Sequence, residues 1–83
     1  MIRIVIADDH QLVREGLVRL LSLEKDLQVV AVASTAEEAV ATVERLRPNV
    51  ALLDVRMPGF GGIGAARQIA SRCPDVGIVL LTM

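Results

Sequence analysis

Asp8 and Asp9 follow directly on the apolar run Ile2-Arg3-Ile4-Val5-Ile6-Ala7, and Asp54 follows Val50-Ala51-Leu52-Leu53. A carboxylate at the end of a buried strand costs solvation unless a cation or hydrogen-bond donors compensate it. Each Asp taken singly suits a turn or a helix cap. On two strands brought side by side they form an all-oxygen donor set. Such a set, with open positions, suits Mg²⁺, which keeps several waters and accepts a phosphate oxygen. The chemistry that fits is phosphoryl transfer to a carboxylate. The cation neutralises the transferring oxygens while Asp54 attacks in line.

Whether the carboxylates meet depends on the elements that carry them. Residues 2–7 read as a short buried strand. Leu12, Val13, Gly16, Leu17, Leu20 and Leu21 then recur on one side of residues 11–24, with Arg14, Glu15, Arg19 and Ser22 opposite, which predicts an amphipathic helix. Val29-Val30-Ala31-Val32-Ala33 is a second strand. Thr35-Ala36-Glu37-Glu38 has the spacing of a capping box. It opens a helix striped by Ala36, Ala39, Val40, Val43 and Leu46, which Pro48 stops. Strand three runs over 50–53, and Met57-Pro58-Gly59 marks a turn. A third helix shows Ile63, Ala66, Ile69, Ala70 and Cys73 as its apolar stripe, and Ile78-Val79-Leu80-Leu81-Thr82 is a fourth strand.

Alternating strands and helices predict an α/β fold, with a doubly wound parallel sheet between two helical layers. Crossovers are right-handed in ~98% of cases, which gives the strand order 2-1-3-4. Strands one and three are then neighbours where the winding reverses, the place where such sheets bind ligands at the strands' carboxyl ends. With neighbouring strands ~4.8 Å apart, Asp8, Asp9 and Asp54 should converge. The same rule leaves helix one alone on its face. One helix is ~10 Å wide, so it leaves part of a four-strand sheet bare, and strand four is an open apolar edge. Self-association of the 83-residue form through strand four is the expected consequence.

With 83 residues, 53% hydrophobic and 23% charged, the chain is sized for a single domain. No run reaches the ~18 apolar residues of a membrane span. Nine Lys and Arg are scattered among ten Asp and Glu, leaving no basic patch for nucleic acid in these residues. Arg3 and the early Asp pair interrupt any signal-peptide core, and one cysteine fits a reducing, cytoplasmic setting. Cys73 reads as a packed core thiol. Aromatic content of 1% excludes a function built on stacking bases or sugars. His10, without a partner nearby in sequence, reads as a helix-start residue. Gly59-Phe60-Gly61-Gly62-Ile63-Gly64 matches the dinucleotide pattern G-x-G-x-x-G literally. However, Val55-Arg56-Met57-Pro58 separate it from the strand, and the expected acidic ribose partner is replaced by Leu80-Leu81-Thr82.

The ordered set formed by Asp8-Asp9, Asp54, Met57-Pro58-Gly59 and Thr82 resembles the receiver domain of bacterial two-component response regulators. Ala7-Asp8-Asp9-His10-Gln11-Leu12-Val13-Arg14-Glu15-Gly16-Leu17 is especially similar to the NarL/FixJ subfamily, whose members usually carry a LuxR-type DNA-binding domain after the receiver. The resemblance implies a flavodoxin-like fold and a phosphoacceptor role for Asp54. It implies that Asp9 binds Mg²⁺ directly, Asp8 directly or through water, and that the Arg56 backbone carbonyl completes the protein ligands. It also implies that the Thr82 hydroxyl senses the phosphoryl group and that a histidine kinase is the phosphodonor. Such a module accepts and loses its own phosphoryl group and is not a turnover enzyme. Residues 1–83 correspond to the N-terminal part of such a domain, ending before the family's fifth strand with its Lys, its switch aromatic and any DNA-binding output domain. Gly61 and Gly64 stand where the family often has Asp and Glu, which removes an expected cap of the third helix, worth ~1 kcal/mol. The rival reading is a Mg²⁺-dependent phosphohydrolase with an Asp nucleophile. It commonly needs a second Asp two residues on, where this chain has Arg56.

Overall fold

The computed structural model describes residues 1–82. Its elements are β1 (Ile2–Ala7), α1 (Gln11–Ser22), β2 (Leu27–Ala33), α2 (Ala36–Leu46), β3 (Val50–Asp54), α3 (Gly61–Arg72) and β4 (Gly77–Leu81). The sheet is parallel throughout, in the order β2-β1-β3-β4. The expected order and reversal point are therefore the observed ones. Strand bounds shift by one or two residues: β2 begins at Leu27, β3 includes Asp54, and β4 ends at Leu81, leaving Thr82 just outside it.

Local sequence accounts for the helix ends. Thr35 caps α2, its Oγ1 accepting from the Glu38 N–H at 3.1 Å, while Glu38 Oε1 accepts from the Ser34 N–H at 2.7 Å. At the far end Arg47 takes a left-handed conformation (φ 46°) and donates its N–H to the Val43 carbonyl, with Pro48 beyond. The other two helices begin without a side-chain cap, at His10 for α1 and Phe60 for α3. For α3 this agrees with the missing acid noted in the sequence.

One hydrophobic cluster joins Val5, Ala7, Ala33, Ala51 and Leu53 of the sheet to Ala36, Ala39, Val40 and Val43 of α2 and Ala65, Ile69 and Cys73 at α3. Cys73 is a free, buried thiol, as expected. The apolar stripe expected for α3 is displaced, because Gly62, Ala65 and Ile69 are buried whereas Ile63 is 49% exposed. On the other face α1 has no buried residue. Leu12 and Leu20, expected in its packed stripe, are 84% and 64% exposed, and Val13, Leu17 and Leu21 are only half-buried. Toward β4 the α1 face of the sheet is thinly covered, with Leu52 half-buried and Val79 47% exposed.

Candidate functional site

Register brings the acidic residues together. Ala7 of β1 pairs with Leu53 of β3, so Asp8, just past β1, and Asp54, the last residue of β3, stand side by side at the carboxyl ends of the strands. Asp8 is fixed at its amide, which donates to the Ala33 carbonyl at 3.0 Å, and at its carbonyl, which accepts from Arg14 Nη1 at 2.8 Å. The chain then turns into α1 as the His10 N–H donates to Asp8 Oδ1 at 2.8 Å. Asp54 makes the matching turn, its Oδ1 accepting from the Arg56 N–H at 3.0 Å.

The loop behind Asp54 is held from three sides. The Val55 N–H donates to the Leu81 carbonyl at 3.0 Å, the Gly62 N–H to the Val55 carbonyl at 3.1 Å, and the Ala36 N–H to the Pro58 carbonyl at 3.2 Å. Met57 is buried beneath it. Gly62 has no substitute here, since a Cβ on it would collide with the Asp54 carbonyl group and the Val55 backbone. Gly59 and Gly61 have positive φ, 88° and 79°, which other residues rarely adopt. Gly59 and Gly61 of the G-x-G-x-x-G match thus serve a tight loop, and Gly62, at a variable position of that pattern, serves a close helix–strand approach.

Asp8, Asp9, His10 and Asp54 each offer one ligand atom to a group lying within 4.8 Å of one another. The Asp8 side chain has no solvent exposure, the Asp54 side chain has 8% and that of Asp9 29%. Asp8 Oδ2 is buried and has no hydrogen-bond partner among the described residues. A fully buried carboxylate oxygen without a donor among the described residues, beside two further carboxylates, is a position that a bound cation would compensate. An all-oxygen set of this kind fits a hard divalent cation. The three Asp residues expected to meet do so.

His10 was not expected there. It starts α1 as expected, and its Nδ1 also lies 3.1 Å from Asp9 Oδ1, 3.3 Å from Asp8 Oδ1 and 3.9 Å from Asp54 Oδ2. The signal was its adjacency to the acidic pair, but the third partner lies 44 positions away on β3 (54 − 10) and is supplied only by the fold. Arg56 has an exposed side chain, and its amide faces Asp54. Thr82 is exposed and follows Leu81, which pairs with Asp54 across β3 and β4.

Residues 4–83 match the family described as the response regulator receiver domain. The transcriptional regulatory protein DegU of Brevibacillus brevis is 45% identical over 82 residues, which are 99% of this chain and 35% of DegU. A two-component response regulator of the LuxR family from Aurantimonas sp. SI85-9A1 superposes with a TM-score of 0.95 at 37% identity, over 100% of this chain and 59% of that one. RcsB from Salmonella enterica serovar Typhimurium, solved bound to promoter rprA in the presence of phosphomimetic BeF3-, does so with a TM-score of 0.91 at 28% identity, over 99% and 42%. The chain thus spans well under half the length of the curated relatives it matches. Among the described residues no helix is long and apolar enough to cross a membrane. With a family match over nearly its whole length and an acidic cluster at the switch point of a 2-1-3-4 sheet, this chain belongs to the response regulator receiver domains.

Proposed function

We propose that this chain is the phosphoacceptor part of a two-component response regulator, with Asp54 the residue that receives the phosphoryl group. The observation that carries the reading is the convergence of Asp8, Asp9 and Asp54 around a buried carboxylate oxygen that has no donor among the described residues. Asp8, Asp9 and Asp54, with the Arg56 backbone carbonyl, would hold a Mg²⁺ ion. Bound there, the ion would offset carboxylate repulsion and the negative charge of a transferring phosphoryl group.

The donor in this reading is a phosphohistidine of a sensor kinase. A carboxylate oxygen of Asp54 attacks phosphorus in line, the new O–P bond forms as the P–N bond breaks, and the electron pair returns to the leaving imidazole. Asp54 is prepared for this by the Arg56 N–H, which holds Oδ1 at 3.0 Å and so orients the carboxylate. Thr82, one residue past the partner of Asp54 in the sheet, would sense the product through its hydroxyl. Water then returns the acyl phosphate to Asp54 and inorganic phosphate, so the domain is a switch and not a turnover enzyme. Residues 1–83 form the N-terminal part of this receiver, acting in the cytoplasm and controlling a DNA-binding output domain outside them. RcsB, bound to a promoter in the presence of a phosphomimetic, and DegU, a transcriptional regulator, support that direction of control.

Acetyl phosphate with Mg²⁺ should add one phosphoryl group to the full chain, read by intact mass. Equal labelling of Asp54→Asn, or labelling insensitive to chelator, would overturn the assignment. The 83-residue form is further expected to self-associate through β4, whose Val79 and Leu80 are 47% and 43% exposed on an outer strand. Sedimentation as a folded monomer at micromolar concentration would rule that out.

A further inference from the structure

His10 has no part in the mechanism above, yet its ring sits closer to the carboxylates than any other basic side chain hydrogen-bonded or ion-paired there among the described residues. The three distances from Nδ1, 3.1, 3.3 and 3.9 Å, have a specific meaning. Ligand atoms held at ~2.1 Å from one ion stand ~3.0 Å apart at neighbouring octahedral positions and ~3.4 Å apart in a tetrahedron. Nδ1 makes a hydrogen-bond contact with Asp8 Oδ1 at 3.3 Å and lies 3.1 Å from Asp9 Oδ1, spacings that one coordination shell could also accommodate. The four side chains each offer a ligand atom within 4.8 Å of one another. Beside the ring, Asp8 Oδ2 is buried and has no hydrogen-bond partner among the described residues, so it is available as a ligand atom.

We propose that His10 is a ligand of this site, adding one imidazole nitrogen to its carboxylate oxygens and so recruiting Zn²⁺ and similar divalent transition ions. This rests on the reading of Asp8, Asp9 and Asp54 as a cation site. Oxygen ligands suit Mg²⁺, whereas imidazole contributes mainly to the binding of later first-row ions and zinc. The side chain is 62% exposed, so the ring lies at the mouth of the site and can swing away from it. With the ring turned in, a coordination position that a phosphoryl oxygen would use is filled. A Zn²⁺-loaded, His10-ligated site is therefore an inhibited one. The same geometry also has the opposite interpretation, in which the imidazole is a stand-in that an arriving cation must displace.

Calorimetric titration of the full chain with Mg²⁺ and with Zn²⁺ separates the two, alongside His10→Ala and His10→Asn. As a ligand, His10 contributes to Zn²⁺ alone: both variants lose about 10- to 100-fold in Zn²⁺ affinity and stay within about threefold for Mg²⁺. As a stand-in, its removal tightens both ions together, and that result overturns the proposal. Cu²⁺, a late first-row ion with high affinity for imidazole, serves as a paramagnetic probe of the same site. Its pulsed electron paramagnetic resonance should show ¹⁴N coupling in the wild type and none in His10→Ala, and absence of coupling in the wild type also overturns ligation. Asp9→Asn tests the underlying reading separately. If it leaves Mg²⁺ binding unchanged, the acidic cation site fails, whatever His10 does.

Discussion

On the side of α2 and α3 the sheet is closed by small residues, with Ala7, Ala33 and Ala51 clustered with Ala36, Ala39 and Ala65 at 1% exposure or less. On the opposite side α1 has no fully buried residue of its own and leaves Leu12 and Leu20 in solvent, although Ile6 of the sheet is buried there. Close approach of backbone to backbone makes the first face dense, whereas larger side chains on a single helix leave the second loose. The site draws on both. Asp54 is positioned from the dense face, through the Gly62 contact of α3 and the bond from Ala36 of α2 to the loop behind it. His10 is positioned from the loose face, at the start of α1. The carboxylate expected to react is thus buried and held by backbone contacts, whereas the ring beside it is 62% exposed.

The largest expected difference between the faces lies in deletions. Ile69→Ala removes a fully buried side chain from the dense cluster and should cost about 2–5 kcal/mol in urea unfolding. Leu20→Ala, at 64% exposure, should stay within about 0.5 kcal/mol. Similar losses at the two positions would show that α1 packs far better than its exposure indicates.

A glycine pair gives a smaller effect with opposite signs. Gly62→Ala places a methyl group against the Asp54 carbonyl and should destabilise by about 1–3 kcal/mol, while slowing phosphorylation by shifting Asp54. Gly16→Ala, in the interior of α1, meets nothing within 4 Å and should stabilise by about 0.5–1 kcal/mol. Two changes of the same sign would remove the distinction between the faces.

The same contrast explains what the sequence made legible. Strand order and the meeting of Asp8, Asp9 and Asp54 follow from element alternation and handedness, which depend little on packing detail. The buried face of α3 was misplaced because Gly62 and Ala65 carry almost no hydrophobic signal, although they make the closest contacts, whereas Ile63 carries a strong one and lies half exposed. Leu12 misled in the same way on α1. His10 was missed for another reason. A residue's chemistry depends on its neighbours in space, and one of its three carboxylates arrives from a strand far along the chain.

The smallest expected effect concerns the site itself, where the two faces meet. Asp8 holds a buried oxygen without a donor among the described residues, and leaving such a group unpaired costs stability. Asp8→Asn keeps an acceptor for the His10 N–H, removes the charge, and presents an amide to the neighbouring carboxylates. In the presence of chelator the variant should be more stable than the wild type by about 1 kcal/mol, seen as a higher urea midpoint at unchanged slope. Added Mg²⁺ should reverse the order, because binding to the native state stabilises only the chain that retains the ligand. A variant less stable than the wild type in chelator would mean that the Asp8 carboxylate is already compensated within the protein. The acidic cluster would then be structural, and the case for a cation at the meeting point of the two faces would lose its main support.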